Sequence, residues 1–188
     1  MGWNSRFRRF AIASIAFLSI AAVGQSASDL DGRVVNPFAT SSGKVLVLVF
    51  LRRDCPVSGR YAPAIQQISR RYADSTNFFL VYPDKSETAD AIRKSVADYG
   101  YHLPVLRDPE HALVKLSHVQ ITPEVAVFDQ SRKLVYDGRI DDRYIDLSRV
   151  RPAPTTRELE DAIRAAQSGT ALGRNEIRGV GCYIADVE

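Results

Sequence analysis

Cys55 and Cys182 are the only two thiols in this chain of 188 residues. Cys55 lies in the run KVLVLVFLRRDCPVSGRYAP, where an apolar segment typical of a buried strand gives way to a segment typical of a helix. A thiol at a helix start lies near unpaired backbone N–H groups and the positive end of the helix dipole, and both favour the thiolate. Any side-chain redox chemistry must therefore use Cys55, Cys182 or both.

The residues around Cys55 are suited to holding its sulfur as an anion. Pro56 at the first helical position loses no hydrogen bond, because the N–H that it lacks would have no partner within the helix. Ser58 can donate a hydrogen bond to a thiolate, which stabilises the charge without supplying a second sulfur. The charged neighbours are three bases and one acid: Arg52, Arg53, Arg60 and Asp54. The alternative interpretation is an inert, buried cysteine at a sheet edge.

Residues 1–24 have the pattern of a secretory signal peptide. Three arginines precede an uncharged, mostly apolar stretch at 10–23, and small residues then favour cleavage after Gly24, with cleavage after Ala27 as the alternative. The apolar stretch is shorter than the roughly 20 residues of a membrane-spanning helix, so only an uncleaved signal would hold the chain at a membrane. We expect a periplasmic or secreted, and in either case extracytoplasmic, protein.

Charge and composition exclude several classes of function. The chain has 25 basic and 22 acidic residues, but three of the basic ones are the signal arginines, so the remainder is formally neutral and nucleic acid is not an expected partner. Scattered histidines and unpaired cysteines predict neither a metal site nor another cofactor. We expect the acidic turn at 141–146 to be solvated. The length predicts one domain, at 29–170, followed by a tail at 171–188.

The hydrophobic pattern predicts an α/β chain. The order is strand, helix, strand, helix, hairpin and helix, and a βαβ unit joined to a ββα unit makes a mixed sheet with helices on both faces. The predicted strands lie at 45–51, 77–83, 124–129 and 133–140, the last two as an antiparallel hairpin. The main helices are predicted at 56–72 with a kink at Pro63, from 87 to Gly100, and at 155–169 with Thr155 or Thr156 as N-cap.

Three segments resemble the thioredoxin superfamily, and within it the peroxiredoxin-like or redoxin branch, as an exported member. They are DLDGR followed by GKVLVLVFLRRDCPVS, then ITPEVAVFDQSRKLVYDGRIDD, and finally TTRELEDAIRAAQSGTAL followed by GVGCYI. The likeness covers residues 29–184. It implies a thioredoxin-like fold with a mixed central sheet, helices on both faces and a cysteine-bearing C-terminal tail.

Three positions depart from the patterns of well-known relatives. Dithiol members of the superfamily carry Cys-x-x-Cys, whereas the fourth position here is Ser58. Peroxiredoxins typically have Thr or Ser three residues before the reactive cysteine and Pro seven before it, whereas this chain has Arg52 and Leu48. A copper chaperone of this fold would need a Cys-x₃-Cys pair, of which one cysteine is present. These departures disfavour a thioredoxin-type dithiol reductase, efficient peroxidase activity and a copper chaperone.

The resemblance also assigns roles outside the Cys55 segment. Thr122 and Pro123 match the loop whose cis-proline faces the active-site cysteine, where the backbone of Thr122 can pair with an extended peptide or another substrate. Together with Pro56, this loop is expected to orient the substrate. Cys182 is expected to serve either as a resolving thiol for Cys55 or as its partner in a structural disulfide.

Two functions follow from these expectations. The first is an exported thiol oxidoreductase, in which the Cys55 thiolate performs thiol–disulfide exchange or peroxide reduction, with Cys182 resolving the intermediate. Its partners would be an external thiol reductant and either a peroxide or a protein disulfide. The alternative is a non-catalytic binding module of the same fold, in which a Cys55–Cys182 disulfide holds the tail.

Overall fold

A mixed β-sheet forms the centre of the molecule in this computed structural model, which describes residues 25–41, 43–170, 172 and 177–185. The strands are β1 (Ala27–Ser28), β2 (Val34–Val35), β3 (Val45–Phe50), β4 (Thr76–Tyr82), β5 (Val105–Arg107), β6 (Ile121–Thr122), β7 (Glu124–Phe128), β8 (Leu134–Gly138) and β9 (Cys182–Tyr183). The main sheet has the order β2-β1-β5-β4-β3-β7-β8, and β6 pairs separately with β9.

Strand β3 lies inside the sheet, and every one of its side chains is buried. It runs parallel to β4 and antiparallel to β7. Successive side chains of a strand point to opposite faces, and those of β3 divide between two apolar clusters, with Val47 in one and Leu48 in the other. The uninterrupted apolar sequence of β3 is therefore the signature of a strand covered on both faces.

Helices cover both faces of the sheet, as the sequence predicts. They are α1 (Pro37–Thr40), α2 (Pro56–Arg60), α3 (Ala62–Arg71), α4 (Ala89–Asp98), α5 (Ala112–Ser117) and α6 (Glu158–Ser168). Helices α2, α3, α4 and α6 bury their apolar side chains in the cluster that contains Val47, whereas α1 and α5 pack in the cluster that contains Leu48. The antiparallel β7–β8 hairpin also matches the prediction.

The single helix predicted at 56–72 is two helices that meet at Tyr61. Pro63 occupies the first turn of α3, where its missing N–H needs no helical partner, whereas in an uninterrupted helix it would have left a carbonyl unpaired. The Tyr61 hydroxyl donates to the carboxylate of Asp141 at 2.6 Å, which fixes the break against the loop after β8.

The predicted N-cap of the last helix is wrong. Helix α6 begins at Glu158, because the carboxylate of Asp142 accepts hydrogen bonds from the backbone N–H groups of Thr155 and Thr156 and holds both outside the helix. The acidic turn expected to be solvated is buried at Asp141 and Asp142 for the same reason: these carboxylates satisfy backbone donors. Gly169 ends α6 with a positive φ of 68°.

Within the residues described, no helix combines the length and apolar character needed to cross a membrane. The predicted signal peptide at 1–24 lies outside those residues.

Candidate active site

Cys55 lies where the chain leaves the carboxyl end of β3 and turns into α2. Its backbone N–H donates to the carbonyl of Arg52 at 3.2 Å, and its own extended backbone makes it the N-cap residue of α2. Pro56 follows at the first helical position with its ring exposed. The residue Cys55 is only 1% exposed, so its reactivity depends on the groups packed around it.

The loop before β7 lies directly against this sulfur. The Thr122–Pro123 peptide bond is cis, and both residues are buried. The Sγ atom of Cys55 is 3.2 Å from the carbonyl oxygen of Thr122. The sequence-predicted proline loop and the predicted nucleophile are therefore in contact.

The C-terminal tail completes the site by bringing Cys182 to the same place. Strand β9 pairs antiparallel with β6, so that Cys182 lies opposite Thr122. The Thr122 hydroxyl donates to the carbonyl of Cys182 at 3.2 Å. Cys182 is half-buried, and it lies near enough to Cys55 for its thiol to lower the pKa of that sulfur. Both cysteines are free thiols in this arrangement.

The hydrogen bonds around Cys55 favour its thiolate. Burial acts to raise the pKa of the Cys55 thiol, but the Cys182 thiol and the backbone and hydroxyl of Ser58 donate to the sulfur and hold its pKa below the ordinary value. The carbonyl of Thr122 opposes this, because a thiol can donate to it and a thiolate cannot. We expect the several donors to outweigh one carbonyl, which leaves Cys55 ionised more readily than a free cysteine.

Cys182 has the opposite character. Burial, the hydrogen bond that it donates to Cys55 and the negative charge of that sulfur together raise the pKa of Cys182 to about 11. The guanidinium of Arg52 only partly offsets these effects. Of the two sulfurs, Cys55 is therefore the one that ionises first, while Cys182 holds its proton.

Ser58 is positioned for the role predicted from its spacing. It is buried, and its hydroxyl oxygen accepts a hydrogen bond from the backbone N–H of Arg52 at 3.4 Å. The hydroxyl proton is thereby free to point at Cys55, for which it is a donor. Ser58 thus takes the position of the second cysteine in a Cys-x-x-Cys pair and supplies a proton donor in its place.

Glu124 is a site residue that sequence reasoning missed. It is 0% exposed, and its carboxylate accepts backbone hydrogen bonds from Gln120 at 2.9 Å, from Ile121 at 3.2 Å and from Gly179 at 2.7 Å. Arg178 approaches the same carboxylate at 3.8 Å. One buried acid therefore fastens the proline loop and the tail together. The available signal was an acidic residue opening the apolar run EVAVF.

A small cavity adjoins the site on the side of β9. It has a volume of about 160 Å³, and its lining includes Arg52, Asp84, Thr122, Tyr183 and Ile184. The charge of Arg52 is shared between the carboxylates of Asp54 at 2.8 Å and Asp84 at 3.0 Å. The described residues contain no cluster of three or more histidine, cysteine or acidic side chains that could hold a metal ion.

Removal of the Cys182 donor tests the thiolate assignment. We expect Cys182→Ala to move the pH profile of Cys55 alkylation to higher pH and to slow alkylation at neutral pH by roughly tenfold, because a hydrogen bond to a charged group contributes about 1.5–3 kcal/mol. Mass spectrometry of the Cys55 peptide after timed iodoacetamide treatment gives the rate. Cys182→Ser, which keeps a hydroxyl donor, is the matched control. An Ala profile that overlays the wild-type profile would show that Cys182 does not stabilise the anion.

Comparisons with known proteins agree with this architecture. The sequence profile of the Redoxin family matches residues 19–151, a stretch that includes Cys55 and the proline loop but not Cys182. A search of the curated proteins finds no match.

Solved structures share the fold at low sequence identity. A hypothetical protein from Sinorhizobium meliloti 1021 is 23% identical with a TM-score of 0.71, over 85% of this chain and 88% of its own. An uncharacterized conserved protein from Geobacillus kaustophilus is 22% identical with a TM-score of 0.72, over 85% and 86%. A secreted Mycobacterium tuberculosis disulfide oxidoreductase is 19% identical with a TM-score of 0.55, over 76% and 96%. The fold is therefore thioredoxin-like, and the profile match shows that the chain belongs to the Redoxin family.

Proposed function

We propose that this chain is an extracytoplasmic thiol oxidoreductase in which Cys55 is the attacking thiolate and Cys182 the resolving thiol. The observation that carries the proposal is that the loop residue Thr122 pairs with Cys182 while its carbonyl oxygen lies 3.2 Å from the Sγ atom of Cys55, which brings both cysteines to one place. Membership of the Redoxin family supports a thiol oxidoreductase of the thioredoxin type. The signal-like N-terminus, together with a structural relative described as secreted, supports the extracytoplasmic location.

The two cysteines can act in sequence with a disulfide substrate. The Cys55 thiolate attacks one sulfur of the substrate, a new S–S bond forms, and the other substrate sulfur leaves as a thiolate that takes up a proton. Once Cys55 is bonded, its negative charge is gone, and so are two of the causes that raise the pKa of Cys182. Cys182 then ionises more readily, attacks Cys55 and releases the second substrate sulfur. The product is an intramolecular disulfide, which an external thiol reductant must reopen.

A hydroperoxide can enter the same cycle. The Cys55 thiolate attacks the terminal oxygen, the O–O bond breaks, and the alkoxide leaves with a proton as an alcohol. Cys182 then displaces the hydroxyl of the resulting sulfenic acid as water and forms the same disulfide. Arg52 in place of the hydroxyl residue typical of peroxiredoxins favours the disulfide substrate over the peroxide.

The burial of Cys55 favours a second candidate function. A cysteine residue that is 1% exposed suits a binding module in which a permanent Cys55–Cys182 disulfide holds the tail. The two functions differ in what happens after oxidation. An enzyme's disulfide forms quickly and is reopened quickly, whereas a structural disulfide resists reduction.

Intact-mass measurements after mixing test the proposal. Reduced protein is mixed with one equivalent of a low-molecular-weight disulfide or a hydroperoxide and quenched with acid at increasing times. We expect loss of two hydrogens, mapped to Cys55 and Cys182, followed by rapid reopening with a dithiol reductant. Cys182→Ser should instead accumulate a mixed disulfide at Cys55. A wild-type protein that stays reduced would contradict the enzyme. An internal disulfide that survives the dithiol would contradict the enzyme and favour the binding module.

A further inference from the structure

The tail lies on the proline loop in the manner of an added β-strand. Ile121 pairs with Tyr183 and Thr122 with Cys182, and the backbone N–H of Ile184 extends the pairing by donating to the carbonyl of Gln120 at 2.9 Å. This tail segment, residues 181–184, presents a cysteine to the sulfur of Cys55. Main-chain pairing of this kind binds extended peptides with little regard to sequence, and specificity comes from the side chains that must fit.

Gly181, the residue before that cysteine, lies too close to the loop for any other residue. A Cβ atom at this position would lie 2.0 Å from the carbonyl oxygen of Thr122 and 2.8 Å from its carbonyl carbon. Both are backbone atoms of a buried residue, which cannot rotate out of the way as a flexible side chain could. Glycine is therefore required immediately before the cysteine of any strand that binds here. The reason is the steric clash of a Cβ atom with the backbone of Thr122, and not an unusual backbone conformation.

The docked tail also closes the site to a partner. With β9 in place Cys55 is 1% exposed, so a polypeptide disulfide can reach the sulfur only where the tail has left. The tail is a suitable occupant to leave, because β9 is two residues long and Tyr183 within it is 73% exposed. Its firmer attachments lie upstream, where Gly179 and Arg178 meet Glu124.

Pairing of an extended substrate with the loop edge at residues 120–122 is what the family resemblance already implies. We propose that this edge selects segments of a partner polypeptide that have glycine directly before their cysteine, and that the tail competes for the edge as a tethered occupant. The inference rests on the proposed oxidoreductase function and specifies its substrate class.

The exchange then follows from the shared position. The partner's cysteine, in a disulfide, takes the place of Cys182, and Cys55 attacks its sulfur while the partner's other sulfur leaves as a protonated thiol. Return of the tail displaces the partner strand and brings Cys182 to the mixed disulfide. Cys182 attacks Cys55, the partner's cysteine leaves as a thiol, and Cys55–Cys182 becomes the internal disulfide. Product release and resolution are the same movement.

Two synthetic peptides test the glycine requirement without altering the protein's fold. One has the tail sequence RGVGCYI, and the other has alanine in place of the glycine before the cysteine. The cysteine of each is activated as a disulfide with 5-thio-2-nitrobenzoate, whose coloured release reports attack by Cys55 in full-length Cys182→Ser protein. We expect the second-order rate constant of this single attack to be at least about tenfold higher for the glycine peptide, which corresponds to about 1.4 kcal/mol. Equal rates would overturn the docking geometry.

A tail variant tests the competition. Gly181→Ala in the same Cys182→Ser protein adds a methyl group that clashes with Thr122, and we expect the glycine peptide to react about fivefold or more faster once the tail is displaced. Ala185→Ser, in the exposed end of the tail, is the matched control and should leave the rate unchanged. Unchanged or slower reaction with Gly181→Ala would show that the tail does not compete.

Reaction with the small symmetrical disulfide of 5-thio-2-nitrobenzoate distinguishes failure of the docking proposal from failure of the proposed oxidoreductase function. If Cys55 attacks this reagent but does not distinguish the two peptides, the docking proposal fails and the oxidoreductase remains. If Cys55 attacks neither the reagent nor the peptides, the proposed function itself fails.

Discussion

Cys55→Ser is expected to abolish thiol–disulfide exchange, with a loss in kcat/KM of about 1,000-fold or more. A serine hydroxyl cannot form a disulfide, and it remains protonated where the Cys55 thiolate is stabilised by Cys182 and Ser58. The loss is measured with an activated disulfide at neutral pH, under conditions in which the wild type turns over with excess dithiol reductant.

Two further variants show whether the loss belongs to the nucleophile. Cys182→Ser should keep the first attack and lose turnover, because the mixed disulfide at Cys55 has no resolving partner. Ser58→Ala should slow the first attack by about tenfold, since one donor to the thiolate is lost. Retention of exchange in Cys55→Ser would move the chemistry to another group and contradict the assignment.

Glu124→Ala is expected to lower the free energy of unfolding by about 3–5 kcal/mol, the largest stability effect that we anticipate in the site. The substitution removes a fully buried carboxylate and leaves the backbone N–H groups of Gln120, Ile121 and Gly179 without their acceptor. It also removes one of two carboxylates near Arg178, which keeps Asp137 at 3.6 Å. Urea unfolding followed by circular dichroism gives the value.

Glu110→Ala is the matched control for this stability effect. Glu110 is exposed, so the same change of side chain should alter the unfolding free energy by no more than about 0.5 kcal/mol. If Glu124→Ala unfolds within about 1 kcal/mol of the wild type, the acid does not hold the loop and tail together. A fall in the m-value alongside the midpoint would indicate that the tail is already detached in the variant's native state.

Local patterns were sufficient for most of the fold. The continuous apolar run of β3, the short polar link of the β7–β8 hairpin and the glycine after α6 are all read within a few residues of sequence. The start of α6 was not, because Asp142 lies far enough upstream that no capping pattern includes it. Tertiary hydrogen bonds override a local signal when they satisfy the same donors more completely.

The same distinction between local patterns and tertiary contacts applies to the site residues. Cys55, Pro56 and Ser58 form one local segment whose chemistry could be read directly, and the resemblance supplied Thr122 and Pro123. The pairing of Cys182 with Thr122 joins residues 60 positions apart, and GVGCYI has no periodicity from which a register could be predicted. The role of Glu124 in joining the proline loop to the tail could not be predicted either. The position of an acid at the start of an apolar run does not show which backbone N–H groups it will bind.

The tail has one further contact whose consequence lies outside the active site. At the end of β8, an outer strand of the sheet, the carbonyl of Ile177 accepts from the backbone N–H of Arg139 at 3.0 Å, and a Cβ on Gly138 would lie 2.5 Å from that oxygen. Backbone groups left open along a sheet border are templates for pairing with other chains. The segment that delivers Cys182 therefore also occupies a backbone N–H at this border of the sheet, and release of the whole tail would leave that N–H open to pairing with another chain.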